Sequence, residues 1–95
     1  MEKTSLSAIL KTISHPERME ISLLLLHSDR SISELADETD LSASTVSKHL
    51  TKMRNEGIVD FTRYHRVLEY RLVSSEATAM LNTIETLRNA PTQVA

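Results

Sequence analysis

The spacing of the apolar residues changes at the single glycine of the chain, Gly57. Before it, Val46, Leu50 and Met53 recur at the spacing of a helix that buries one face. From Ile58 onward the spacing is two, as in a half-buried β-strand. Glycine favours the left-handed conformation that often ends a helix. The sequence therefore predicts a helix that ends near Gly57 and is followed by β-structure.

The alternating segment predicts a β-hairpin with a definite register. With the turn centred on His65 and Arg66, one face is mostly apolar and the other places opposite charges across from each other. The facing pairs are then Val59/Leu72, Phe61/Tyr70, Arg63/Leu68, Asp60/Arg71, Thr62/Glu69 and Tyr64/Val67. No Gly or Asn marks a tight turn, so we expect a loop of about four residues, 64–67. We also expect Arg71 to pair with Asp60.

Two helices are predicted before this unit. The first spans roughly residues 3–13 and carries one apolar stripe. The second spans about residues 16–28 and is apolar around most of its circumference, so we expect it to form the core. Ser14 and Glu17 have the spacing of a capping box at its start.

A short third helix and a last helix complete the fold. Ser31 and Glu34 form a second capping-box pattern, and the third helix should end near residues 39–40. Ser42 caps the fourth helix, and Ser74 caps a last one that ends at 89–91. The fold class is mainly α with a β-hairpin wing, a winged helix-turn-helix in the order α-α-α-α-β-β-α.

Composition limits the chain to one domain over residues 1–95 and excludes several kinds of site. Without cysteine there is no disulfide, thiolate zinc site, iron–sulfur cluster or redox thiol. The start is mixed in charge and no apolar run approaches the roughly 18 residues of a membrane span, so we expect a cytoplasmic protein that is neither exported nor anchored. No phosphate loop, activated nucleophile or pair of carboxylates in an apolar context indicates an enzyme.

Charge is distributed unevenly along the chain. Residues 1–42 contain four basic and eight acidic side chains, a balance of −4, whereas residues 43–71 contain six basic and three acidic ones, a balance of +3. The net charge of −2 therefore conceals one basic segment, made of the fourth helix and the hairpin. A polyanion can bind such a segment because its local field steers association while distant acids are screened.

Two parts of the basic segment carry side chains suited to DNA. The fourth helix combines small residues, which allow close entry into a major groove, with hydroxyl and amine donors. The hairpin tip is basic, as a wing that reaches the DNA backbone or minor groove requires. We predict DNA contacts by Ser42, Ser44, Thr45, Ser47, Lys48, Lys52, Arg63, His65 and Arg66. The alternatives are that these helix residues are merely solvated and that the tip only maintains solubility.

Several segments together resemble the ArsR/SmtB family of winged helix-turn-helix repressors. The matching segments are residues 10–21, 32–36, 41–53 and 56–59, and the motif Leu-Ser-x-Ser-x-Val-Ser-x-His-Leu within them is fairly specific. The resemblance implies a homodimer that binds an imperfect palindrome in double-stranded DNA and leaves it when an inducer is sensed. It also implies groove and phosphate contacts by Ser42, Ser44, Thr45, Ser47 and Lys48. The wing departs from the family pattern because it lacks a glycine.

The resemblance places the dimer interface on the first and last helices, and their apolar stripes argue for it independently. We predict an interface made of Leu6, Ile9, Leu10, Ile13, Met80, Leu81, Ile84 and Leu87, because these stripes exceed what one small core can cover. Packing of both stripes inside one chain is the alternative. A different function is a winged-helix module that binds proteins and little or no DNA. Loss of Lys48 and of the wing arginines would favour it, and all are present.

The four histidines form no metal motif along the chain. His15, His27, His49 and His65 are scattered, without a His-x-x-His or Asp-x-His pair. We expect His49 to be a hydrogen-bonded structural residue and His27 to contact the carbonyls at the end of its helix.

The sensing sites that the resemblance implies also lack their ligands. The family's metal sites use cysteines on the third helix, or Asp and His on the last. Its thiol sensors pair two cysteines at positions that here hold Leu23 and Arg88 or Asn89. We therefore expect no metal, no cofactor and no thiol switch. Regulation would then come from an unidentified organic ligand or protein, or from cellular protein level.

Overall fold

A computed structural model describes residues 5–91 of the chain. Its elements are α1 (Leu6–Ile13), α2 (Pro16–His27), β1 (Arg30–Ser31), α3 (Ile32–Thr39), α4 (Ala43–Asn55), β2 (Val59–Tyr64), β3 (Val67–Leu72) and α5 (Ser75–Asn89). The strands form one antiparallel sheet in the order β1-β3-β2, and the fold is the predicted winged helix-turn-helix. In the described part of the chain, no helix is long and apolar enough to cross a membrane.

Serine hydroxyls begin most of the described helices. Each accepts a hydrogen bond from the backbone amide three residues further on, at the caps Ser5, Ser31, Ser42 and Ser74. The Ser31–Glu34 capping box forms in both directions, as predicted. The first helix begins at Leu6, and its predicted start at residue 3 lies outside the described residues.

The start of α2 differs from the prediction. His15 is the N-cap, and its Nδ1 accepts a hydrogen bond from the Glu17 amide. Ser14 instead ends α1 in a helical conformation, and its hydroxyl donates to the carbonyl of Lys11. The predicted Ser14–Glu17 capping box is therefore wrong, because an N-cap needs an extended backbone that Ser14 does not have.

The hairpin has all six of the predicted cross-strand pairs. Its turn is shorter than predicted, since only His65 and Arg66 connect Tyr64 to Val67. His65 has a φ of 57° and so occupies the left-handed region, which histidine enters more often than most residues other than glycine. The expectation of a four-residue loop was wrong because it reserved this conformation for Gly or Asn.

The two-residue strand β1 was not predicted. Arg30 pairs with Tyr70 and Ser31 with Glu69, which adds a third strand beside β3. A strand of two residues shows no alternation along the sequence, so only its pairing partner reveals it.

The core forms around α2, as expected, and it fixes the orientation of α4. Ile21, Leu23 and Leu25 of α2 are buried, and α2 contacts α1, α3, α5 and β3. The α4 stripe of Val46, Leu50 and Met53 lies wholly in the same core. Truncating such a side chain to alanine costs about 2–5 kcal/mol, so the rotation of α4 about its axis is strongly specified. The helix ends at Asn55 with Glu56 as its C-cap, and Gly57 follows with a φ of 75°, so the predicted end near Gly57 is confirmed.

Candidate nucleic-acid interface

The side of α4 opposite its buried stripe faces solvent. Exposed side chains recur along it at helical spacing, at Ser44, Lys48, Thr51 and Asn55. We call these four residues the α4 row. Small or polar side chains of this kind allow a helix to approach the edges of bases closely. The row therefore has the shape and chemistry of a surface that enters a major groove.

The two helices of the helix-turn-helix carry opposite charge. The α4 sequence contains three basic residues and no carboxylate, whereas α3 contains three acidic residues and no base. These residues are Lys48, Lys52 and Arg54 on α4, and Glu34, Asp37 and Glu38 on α3. Within this pair of helices, a polyanion is attracted to α4 alone.

The predicted serine and threonine contacts of α4 differ in accessibility. Ser44 is exposed beside Lys48, while Thr45 and Ser47 are half-buried on the two flanks of the row. The Ser42 hydroxyl caps the helix, 3.1 Å from the Thr45 amide nitrogen, and donates to the Thr45 hydroxyl at 2.9 Å. The structure thus leaves Ser44 and Lys48 exposed, with the Ser44 hydroxyl 3.5 Å from that of Ser42, and commits Ser42 to the helix cap.

Lys52 is held by an ion pair. Its Nζ lies 3.1 Å from a carboxylate oxygen of Glu56, and the hydroxyl of Thr12 on α1 donates to the same carboxylate. Burial would raise the pKa of Glu56, but the hydrogen bonds from Thr12 and Lys52 outweigh it and hold that pKa below its usual value. Lys52 is therefore less available to a phosphate than Lys48.

Sequence analysis overlooked Thr51 and Asn55. Both are exposed and continue the α4 row toward the C-terminal end of the helix. Their signal was present, since residues 44, 48, 51 and 55 follow the same three-to-four-residue spacing as the buried stripe, offset by half a turn.

The wing tip carries free positive charge. Arg63, His65 and Arg66 are exposed, and none of them forms a salt bridge within residues 5–91. We call the α4 row together with this tip the basic face. Unpaired guanidinium groups suit contact with the DNA backbone.

The base of the wing is paired internally. Arg54 donates to Asp60 at 2.9 Å, and its guanidinium lies 4.5 Å from the centre of the Phe61 ring. The hydrogen bonds from Arg54 and from the Phe61 amide hold the pKa of Asp60 below its usual value. Arg71 instead donates to the Thr62 hydroxyl. Asp60 and Arg71 face each other as predicted, and the charge of Arg71 helps to lower the pKa of Asp60, but the hydrogen-bonded ion pair of Asp60 is with Arg54 of α4.

The predicted dimer residues divide into two groups. Ile9, Ile13 and Leu81 are buried in the core of the single chain, and the interface itself stays a prediction. Leu6, Leu10 and Leu87 are 59 %, 51 % and 71 % exposed, and Met80 and Ile84 are half-buried beside them. We call the surface formed by Leu6, Leu10, Met80, Ile84 and Leu87 the apolar face.

Two histidines that are distant in sequence meet where α2 begins. The Nε2 of His49 lies 2.8 Å from a carboxylate oxygen of Glu17, and the ring centres of His15 and His49 are 5.0 Å apart. We call His15, Glu17 and His49 the histidine cluster. The prediction of a hydrogen-bonded His49 is confirmed. The prediction for His27 is wrong, since its Nε2 binds Glu85 of α5 at 2.7 Å.

A small cleft separates α2 from α5. Its volume is about 240 Å³, and Leu23, Arg88 and Asn89 lie on its wall. An ion pair between Arg88 and Glu20 and the hydrogen bond between His27 and Glu85 connect the two helices here.

Residues 15–60 match the family model described as bacterial regulatory protein, arsR family. The chain is 34 % identical over 89 residues to the transcriptional activator HlyU of Vibrio cholerae, across 92 % of this chain and 82 % of HlyU. It is 32 % identical over 93 residues to the biofilm growth-associated repressor of Agrobacterium fabrum, across 96 % of this chain and 80 % of the repressor.

Solved structures give the same result. Reduced HlyU from Vibrio cholerae has a TM-score of 0.84 at 29 % identity, over 90 % of each chain. A homodimeric winged helix-turn-helix DNA-binding domain from Mycobacterium bovis has a TM-score of 0.78 over 88 % of this chain and 78 % of that one, and at 19 % identity it shows the shared fold alone. The sequence matches, together with the winged helix-turn-helix fold, show that this chain belongs to the arsR family of DNA-binding transcriptional regulators.

Proposed function

We propose that this regulator is a homodimeric repressor that inserts α4 of each subunit into the major groove of a near-palindromic operator. The observation that carries the proposal is the environment of Lys48. It is exposed in the middle of the α4 row, on a helix without a carboxylate, and it forms no salt bridge within the described residues. A lysine so placed can neutralise a phosphate without giving up a partner in the protein.

The wing supplies the second set of contacts in this proposal. Arg63 and Arg66 are exposed at the tip, and the pairing of Arg54 and Arg71 at its base leaves the tip cations as the free ones of the hairpin. We assign them to the phosphate backbone or to the minor groove beside the α4 site. In the same proposal, Ser44, Ser47 and Thr51 of α4 contact the edges of the bases.

The apolar face supports dimerisation. Leu6, Leu10 and Leu87 form an exposed apolar surface on one chain, and a second copy related by two-fold symmetry would cover it. The related fold from Mycobacterium bovis is itself homodimeric. Two recognition helices on one side of the DNA require half-sites about 34 Å apart, which explains the proposed palindrome.

The direction of regulation rests on the relatives. The Agrobacterium relative, which matches the larger share of this chain, is named a repressor, whereas HlyU is named an activator. A promoter reporter placed behind the operator decides between them, since a repressor lowers expression when it is produced.

We place the protein in the cytoplasm, where bacterial DNA is accessible.

The regulatory input stays a prediction. For an organic ligand, two cavities border α2 and α5, with volumes of about 240 Å³ and about 690 Å³. Only the larger one, lined by Leu26, His27 and the C-terminal half of α5, reaches the roughly 300–1,000 Å³ of most small-molecule pockets, and a partner protein is the alternative.

Genomic footprinting with the purified protein, followed by affinity measurements at several salt concentrations, tests the proposal. Lys48, Arg63 and Arg66 on two subunits make six phosphate contacts, so the slope of log affinity against log salt should be about −5. A flat salt response, or equal affinity for every DNA sequence, would contradict the proposed function.

A further inference from the structure

The histidine cluster connects the first turn of α2 with the middle of α4. One imidazole nitrogen of His15, one of His49 and a carboxylate oxygen of Glu17 all lie within 4.8 Å of one another. Two imidazoles and one carboxylate are a ligand set that proteins use for zinc, with the fourth position open to water. The DNA contacts proposed above use none of these three side chains.

We propose that the histidine cluster binds one divalent transition-metal ion per chain, of the class of Zn²⁺, Co²⁺ or Ni²⁺. With metal–ligand bonds of about 2.0–2.2 Å, tetrahedral ligand atoms lie about 3.4 Å apart. The three atoms are at most 4.8 Å apart, so side-chain movements on the order of an ångström bring them to that spacing. Mixed nitrogen and oxygen ligands favour these metals over Mg²⁺ and Ca²⁺, which prefer oxygen alone.

Metal binding replaces two existing hydrogen bonds. A neutral imidazole has one nitrogen with a free lone pair, and in His15 this nitrogen, Nδ1, accepts the Glu17 amide at 3.2 Å. The second bond joins His49 to the Glu17 carboxylate at 2.8 Å. The lone pairs and the carboxylate charge that now serve these two hydrogen bonds would instead bind the metal. The first turn of α2 would adjust to the loss of the bonds.

The side chains of the histidine cluster differ in their exposure to solvent. The side chain of His49 is 12 % exposed and that of Glu17 is 43 % exposed. His49 is thus held in place by the protein, while Glu17 gives an ion a route from solvent. Preorganisation of this kind reduces the conformational entropy that a site loses when it binds its ligand.

A bound metal would bear on the recognition helix. His49 follows Lys48 directly, so an ion shared with α2 fixes the centre of the α4 row relative to the core. This consequence for DNA affinity rests on the proposed function, whereas metal binding itself does not.

Titration of the metal-free full chain with Zn²⁺, and with Co²⁺ followed by its visible absorption, tests the site. His49→Gln and His15→Asn are the informative variants, because Gln can still hydrogen-bond Glu17 and Asn is a favoured N-cap residue. His27→Gln and His65→Gln are matched controls outside the cluster. Thermal melting of each variant checks that it is folded.

We expect one metal ion per wild-type chain and tetrahedral Co²⁺ absorption. Loss of a ligand should weaken binding by at least about 100-fold, the upper range for removing a group that only orients a ligand. The His27→Gln and His65→Gln proteins should bind the metal ions as tightly as the wild type does. The proposal is overturned if the wild type binds no stoichiometric metal, or if folded His49→Gln and His15→Asn proteins bind as tightly as the controls.

Operator affinity with and without metal forms a separate arm. A change of at least about threefold, or roughly 0.7 kcal/mol, in the wild type but not in His49→Gln supports coupling to α4. An unchanged affinity in a metal-loaded protein overturns the coupling and leaves the site standing. Absence of operator binding in both states contradicts the proposed function and leaves the metal result intact.

Discussion

The basic face and the apolar face are both exposed, but the first exposes charged groups to water and the second exposes hydrocarbon. The cations of Lys48, Arg63 and Arg66 are well solvated in the free chain, so their exposure costs little. For the leucines of the apolar face, each Å² of apolar surface that stays in water costs about 25 cal/mol of free energy relative to its burial. Self-association should therefore proceed without DNA and resist salt, whereas DNA binding should weaken steeply as salt rises.

The largest predicted effect breaks the apolar face alone. Leu10→Glu places a charge in the dimer interface, where an unpaired ion costs about 3–5 kcal/mol, so the dimer dissociation constant should rise at least about 100-fold. Leu10 is half-exposed in one chain, so the monomer should remain folded. Sedimentation measures the change. Asn82→Glu, at an exposed position on the side of α5 away from Ile84 and Leu87, is the control, and a Leu10→Glu protein that stays dimeric would place the interface elsewhere.

A smaller effect should break the basic face alone. Lys48→Ala should lower operator affinity by about tenfold and make the salt slope shallower by about 2, since each dimer loses two phosphate contacts. Lys52→Ala should lower affinity less, because Lys52 already pairs with Glu56. Fluorescence anisotropy with labelled operator measures both. Arg88→Gln on α5 is the control, and an equal loss in all three variants would mean a general effect of charge.

A third prediction concerns Glu56, which joins α1 to α4 because its carboxylate accepts hydrogen bonds from Thr12 and Lys52. Its folded pKa is lowered, so its stabilising contribution is present above the unfolded pKa of about 4.3 and is lost as pH falls through the folded pKa. Glu56→Gln should lower stability at neutral pH by less than about 1 kcal/mol, because the pair is partly exposed. The variant's melting temperature should fall less than that of the wild type between about pH 5 and 3. A parallel decline in both proteins would contradict this role.

The smallest predicted effect is that of polysulfide on operator affinity, because polysulfide should alter neither the basic face nor the apolar face. A dithiol switch needs two sulfurs that can bond to each other, and the chain has no cysteine. Polysulfide should therefore leave operator affinity within about threefold, or roughly 0.7 kcal/mol. The same anisotropy assay measures it, and a reversible tenfold loss would reveal sulfur chemistry at methionine or at a bound group.

The local parts of the fold were predictable because each is encoded within a short segment. The alternation from Val59 to Leu72 fixes which residues face each other, and all six pairs form. The Ser31 and Ser42 caps are recognised from a hydroxyl that precedes an apolar stripe. The Ser14 cap failed because two adjacent residues, Ser14 and His15, can both accept an amide hydrogen, and only the backbone conformation decides between them.

The parts that depend on tertiary packing were not predictable. The stripe of α1 divides into Ile9 and Ile13, which face the core, and Leu6 and Leu10, which face outward, and the sequence spacing does not separate them. His15 and His49 are 34 positions apart in sequence, and only the packing of α4 against the start of α2 makes them neighbours. The partner of Arg54 is likewise set by β2, which packs back on α4, whereas the pair of Lys52 with Glu56 is a local one four residues apart.

The opposite charges of α3 and α4 also act before the protein touches DNA. With carboxylates on one helix and bases on the next, the domain has an electric dipole across its helix-turn-helix. In the field of a polyanion this dipole exerts a torque that turns α4 toward the DNA and α3 away from it. A larger fraction of diffusional encounters then begins in a productive orientation, so the charge on α3, which is repelled by DNA, increases the association rate.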